Sequence, residues 1–132
     1  IYHKAFANHQ AVIERIREVH EFRNLIVKTA SPEDILMMKG CTERARDRDD
    51  AAELIKKVNI NWEIIISEAS NQTKIGMLAF PLLLYGFLTE LKENYKIDVP
   101  KGITKELLAI AEKQFKELKK KGNLIKVTKF KN

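Results

Sequence analysis

Residues 31–50 read SPEDILMMKGCTERARDRDD, from Ser31 to Asp50, and this stretch decides the fold class. Ser31 can accept hydrogen bonds from free backbone N–H groups at a helix start. Pro32 fits the first helical position, where no N–H is needed, and Glu33 and Asp34 sit where the helix dipole favours negative charge. Ile35, Leu36, Met37 and Met38 then supply an apolar turn that ends near Lys39-Gly40. A second helix is predicted to open near Asp47, within a few residues of the first one's end. Short connections between helices are the mark of a helical domain.

The pattern extends on both sides. Val12, Ile13, Ile16 and Val19 form an apolar stripe, which predicts a helix from about Asn8 to Phe22. Leu25 to Lys28 reads as a short strand. Ala51, Leu54, Ile55 and Val58 give the inward face of the helix after Asp47. Asn61 caps the next, whose apolar face is Ile64, Ile65 and Ala69. Thr73 is the cap expected for a long apolar helix to about Tyr95, kinked at Pro81. Ile97 to Gly102 reads as a linker. A final helix spans about Ile103 to Lys121 and stops at Gly122-Asn123. Leu124 to Phe130 follows as an edge-like, lysine-rich strand. The expected fold is mainly α, about two-thirds helix, with one or two short strands that lack a partner within the chain. Two regions are expected: 1–96, the helical region, and 97–132, a basic helix plus strand.

Composition narrows the class. The 132 residues are 45% hydrophobic and 32% charged, which is globular and not disordered. The single cysteine, Cys41, allows no intrachain disulfide, and a reducing, cytoplasmic setting is the natural reading. The longest apolar run, Ile75 to Leu88, is fourteen residues long and broken by Pro81 and two glycines. It is too short to span a bilayer, so no membrane partner is expected. The net charge of +6 is uneven. Residues 1–100 carry 14 basic and 15 acidic side chains, whereas 101–132 carry ten lysines against three glutamates. Lys119, Lys120, Lys121 and Lys126 are therefore candidates for nucleic-acid binding. The plainer reading is a solvated helix face with a basic tail.

Chemistry concentrates in the quoted stretch. Lys39, Arg44, Arg46 and Arg48 stand against Asp47, Asp49 and Asp50 within twelve residues. Asp47 and Asp50, three apart, share one helix face. Two readings are open. One is an ion-pair knot that braces two helix ends. The other is a cluster beside an active site, with Lys39, Arg44 and Arg46 facing phosphate and Asp47 and Asp50 as supporting carboxylates. His3, His9 and His20 have no metal-ligand spacing. His9 and His20 would lie roughly 16 Å apart along a helix. Cys41 reads as an inert thiol and Trp62 as a packing anchor.

The order strand, Ser-Pro-Glu-Asp, apolar turn, Lys39, Arg44, then Arg46-Asp47-x-x-Asp50 opening a helix resembles a family of prokaryotic and archaeal nucleotidyltransferases. That family includes toxins of the abortive-infection type. The resemblance covers about residues 24–58. It implies that these residues are late motifs lining or bracing a nucleotide site, in the C-terminal part of an α+β nucleotidyltransferase fold. The family's Gly-Ser or Gly-Gly turn followed by a strand Asp-x-Asp does not occur here. Asp47-Arg48-Asp49 sits at a helix start, so no catalytic residue and no metal ligand is assigned. The chain opens on Ile1, and the expectation is that the catalytic half precedes it. Magnesium and a nucleoside triphosphate are then cofactors expected of the full-length protein, with RNA or a protein as acceptor. The rival expectation is a non-enzymatic binding module built on the basic helix and the strand after it.

Overall fold

The computed structural model describes residues 9–120. Among them are six helices and one two-stranded antiparallel sheet: α1 (His9–Glu14), β1 (Glu18–Phe22), β2 (Leu25–Thr29), α2 (Pro32–Lys39), α3 (Ala45–Lys57), α4 (Trp62–Lys74), α5 (Phe80–Asn94) and α6 (Lys101–Lys120). The mainly α class expected from sequence is thus observed. The Asn8 cap, the Gly122-Asn123 stop and the strand from Leu124 to Phe130 lie outside the described residues.

The helix expected from Asn8 to Phe22 is instead a short helix followed by a strand. β1 pairs with β2 from Glu18↔Thr29 to Phe22↔Leu25, so β2 has its partner within the chain after all. Arg23 and Asn24 form the two-residue loop, and Arg23 takes φ +44°, the left-handed sign such a loop requires at its first position. Val19 and Phe22 suit a strand better than a helix, and pairing with the β-branched run Ile26-Val27 decides the conformation.

The long kinked helix is also corrected. α4 ends at Lys74, the chain turns at Gly76 with φ +95°, and α5 begins afresh at Phe80. Pro81 sits in the first turn of α5, where its missing N–H breaks no hydrogen bond, so there is no kink. Thr73 lies inside α4 and its hydroxyl donates to the Ser70 carbonyl at 2.6 Å.

Ser31 caps α2 as expected, its Oγ accepting from the Asp34 N–H at 3.2 Å. Leu36 and Met37 are fully buried, but Met38 turns outward, and Glu33 and Asp34 are buried in its place. Asn61 caps α4 through the Glu63 N–H. α5 supplies the largest share of the core, with Phe80, Leu84, Phe87, Leu88 and Leu91 buried, and it packs against α6, α4 and α3. The 97–102 connection does more than link. Ile97 and Val99 are buried, and α6 starts at Lys101. α6 lies on α4 and α5, with Leu107 wholly buried, Ile103 and Ile110 beside it, and its lysines outward.

The end of α2 is set close against α5. A Cβ on Gly40 would come within 3.1 Å of Leu84 Cδ1 and Phe87 Cδ2. A glycine there lets the α2–α3 connection turn over α5 without displacing either side chain. The hairpin contrasts with this packing. Val19, Phe22, Leu25 and Ile26 are all more than half exposed, so none of the described helices covers it.

Candidate functional site

Two charged clusters organise the described residues. The first is the corner anticipated from sequence. α2 ends on Lys39, the chain turns through Gly40 to Glu43, and Arg44 stands at the N-cap of α3 without a capping bond from its side chain. Asp47, in the first turn of α3, is the hub. Its Oδ2 accepts from Thr42 Oγ1 at 2.5 Å and Arg44 Nε at 2.9 Å. Its Oδ1 accepts from Lys39 Nζ at 3.3 Å. Lys39 Nζ also reaches Asp50 Oδ2, one turn on, at 3.3 Å. Asp47 and Asp50 therefore do share a face, and one lysine spans both.

Burial differs sharply across these partners. The Asp47 side chain is 3% exposed, Lys39 is 25%, Asp50 48% and Arg44 73%. Hydrogen bonding from Thr42 holds the Asp47 carboxyl down to about 2, against the opposing effect of burial and with further help from Arg44 and Lys39. Asp47 is thus a fixed anion, and both cations on it meet solvent, Arg44 largely and Lys39 in part. Arg48 turns away from this hub. It donates to the Thr42 carbonyl at 2.8 Å and to Glu90 at 3.0 Å, and stacks 5.4 Å from the Phe87 ring. Arg46 is exposed and joins none of these contacts, so the structure brings together Lys39, Arg44, Asp47 and Asp50 but not Arg46. Lys119 and Lys120 are exposed at the far end of α6, and Lys121 and Lys126 lie outside the described residues.

The second cluster was not anticipated. Glu33, Asp34 and Glu68 are fully buried, on α2 and α4. Arg15, just after α1, enters between them. Its Nε donates to Asp34 Oδ2 at 2.8 Å, and another nitrogen lies 2.8 Å from Glu68 Oε1. Arg17 reaches Glu33 Oε1 at 2.9 Å. Each acid has a further partner: Ser31 Oγ for Asp34, the Asn61 N–H for Glu33, and Gln72 Nε2 for Glu68. The bond to Asp34 is the leading reason the Arg15 guanidinium holds its proton even more tightly than usual. This network is saturated with hydrogen bonds, as buried charges must be. A signal for it did exist in the sequence. Glu68 and Gln72 fall at helical spacing among Ile65 and Ala69, which puts a carboxylate on the inward face of α4.

Cys41 behaves as an inert thiol. Burial pushes it up to about 12, and its Sγ points at the Met37 carbonyl. Among the described residues, no group of three or more His, Cys, Asp or Glu side chains is placed to hold a metal ion, and no helix is long and apolar enough to cross a membrane. Comparison with known protein families, curated proteins and solved structures finds no match to this chain.

Proposed function

We propose that this chain is the helical, C-terminal part of a nucleotidyltransferase-like protein, where it braces the nucleotide site and binds the acceptor. The observation that carries the reading is the corner between α2 and α3. Of the residues matched to the late motifs, Lys39, Arg44, Asp47 and Asp50 converge there and Arg46 does not, and Lys39 stays partly open to solvent above a buried anion. A phosphate approaching this corner meets a lysine already oriented by two carboxylates, in the manner of a positioned point charge. Magnesium and the catalytic carboxylates would come from the other half. The exposed hairpin supports the same reading. An isolated two-stranded sheet is marginal in water, and the apolar side chains on β1 and β2 suit a larger sheet set against them. The lysines of α6 face outward and offer the acceptor a basic surface.

The labour of phosphoryl transfer is thereby divided: the described residues supply positioning and charge, and no metal-holding group is placed among them. The 132-residue chain, given labelled nucleoside triphosphate, magnesium or manganese, and mixed RNA and protein acceptors, is expected to incorporate nothing above background. The complete reading frame is expected to incorporate label. Robust incorporation by the short chain, abolished by Asp47→Asn, would overturn the division of labour. So would a complete reading frame with no glycine turn and strand Asp-x-Asp.

A further inference from the structure

A groove of about 450 Å³ lies on another face of the helical body. Two connections form it. The α3–α4 connection contributes Val58 to Ile60 and leads into Trp62, and the α5–α6 connection contributes Lys96 to Asp98 and Pro100. Its volume falls within the range of small-ligand clefts. Both connections are pinned from inside. Ile60, Ile97 and Val99 are buried, the Ile97 N–H donates to the Leu91 carbonyl at 3.2 Å, and the Asn61 N–H donates to buried Glu33 at 3.1 Å. Both connections that line this open groove are thus anchored to the core.

Its lining combines an aromatic side chain with cations. Trp62 is half-buried, with one part against the core and the rest on the groove. Lys56 and Lys96 line the same groove, and Asp98 is the one carboxylate in the lining. Among the described residues, Lys56 pairs with exposed Glu53 through a 3.6 Å contact, which an anion could readily displace. Lys96 takes φ +56°, a left-handed conformation that a non-glycine residue seldom adopts. The pinned connection holds that strained backbone at the rim, where the lysine side chain is exposed.

We propose that this groove is a nucleotide subsite, in which a base lies on Trp62 and its phosphate meets Lys56 and Lys96. An indole face accepts any base because every base has a π-face, and ammonium groups at the rim supply the charge that a phosphate needs. The nucleotide can come from two sources, a free mononucleotide or the terminal residue of a single strand. The proposal deepens the acceptor part of the preceding reading, and its test needs no catalytic half.

Trp62 is the only tryptophan in the chain, so intrinsic fluorescence reports on this groove alone. The full chain is titrated with uridine monophosphate and, separately, with a short oligouridylate. Saturable quenching is expected in at least one titration. Quenching by the mononucleotide identifies the free ligand as sufficient, and quenching by the oligomer alone identifies the strand end. Lys56→Gln and Lys96→Gln are each expected to weaken the quenching titration by about fivefold, the size of an exposed charge contact. Unchanged Trp62 fluorescence with both ligands overturns the proposal. Quenching that is indifferent to Lys56 and Lys96 also overturns it. Circular dichroism of each variant confirms that the helices are intact.

Discussion

The two charged clusters use the same chemistry in opposite surroundings. Around Arg15, three carboxylates are fully buried and the cations come from a distant stretch of chain. Around Asp47, one carboxylate is buried and its cations, partly buried Lys39 and exposed Arg44, come from a few residues away. The first cluster ties the segment that leads into the hairpin to α2 and α4. The second closes one helix on the next and leaves a lysine facing outward. Charge pattern alone does not separate a brace from a binding surface. Arg15 and Lys39 keep similar exposure, 21% and 25%, and what separates the clusters is the carboxylates: three are buried in the first and one in the second.

The strongest test of this contrast is Arg15→Ala. Removing that guanidinium takes the cation from buried Asp34 and Glu68, and breaking such a buried network costs about 3–5 kcal/mol. Arg17→Ala should cost about 1 kcal/mol or less, because Arg17 is half-exposed and water can replace it over Glu33. Denaturant midpoints at neutral pH measure both. Equal costs would mean that burial does not rank the two arginines.

A smaller effect is expected at the hub of the second cluster. Asp47→Ala removes the acceptor of Thr42, Arg44 and Lys39, whose donors can turn to water, and about 2 kcal/mol is expected. Its carboxyl is held near 2 in the folded chain, below the ordinary aspartate value of about 3.9. Its contribution is therefore complete above roughly pH 4 and is lost as the pH falls toward 2. The gap between wild type and Asp47→Ala should hold steady from pH 7 to pH 4 and close below that. A gap that instead widens on acidification would show that Asp47 is not a stabilising anion.

The contrast also explains which parts of the molecule the sequence made legible. The Asp47 corner was visible because its partners are neighbours. Lys39, Arg44 and Asp50 fall within one turn or one short connection of the hub. Arg15 meets Asp34 across nineteen residues, and no local pattern announces that pairing. Glu33 and Asp34 read locally as complements to a helix dipole, a role that hides their burial. The cap at Ser31, the helix after Asn61 and the strand at Leu25 were legible because each carries its own local signal. β1 was not, since Val12, Ile13, Ile16 and Val19 also fit helical spacing and only pairing with β2 makes the last of them a strand residue. Pro81 was misplaced for a similar reason. A proline inside an apolar run signals a kink or a start, and the turn at Gly76 selects the start. Neither Thr42, which shapes the Asp47 site, nor the groove beside Trp62 has a sequence signature of its own.

The most direct test of the corner's role compares Lys39→Ala with Asp47→Ala in the full-length protein, measuring the denaturant midpoint and nucleotide transfer for each. Lys39 is one of several partners of Asp47 and is partly solvated, so its loss should cost less than about 1 kcal/mol of stability. Transfer by the folded protein should nonetheless fall by about tenfold or more, because a positioned charge on phosphate is lost. If Lys39→Ala destabilises the fold as much as Asp47→Ala and leaves transfer by the folded fraction intact, Lys39 is a brace and the corner is not a phosphate site.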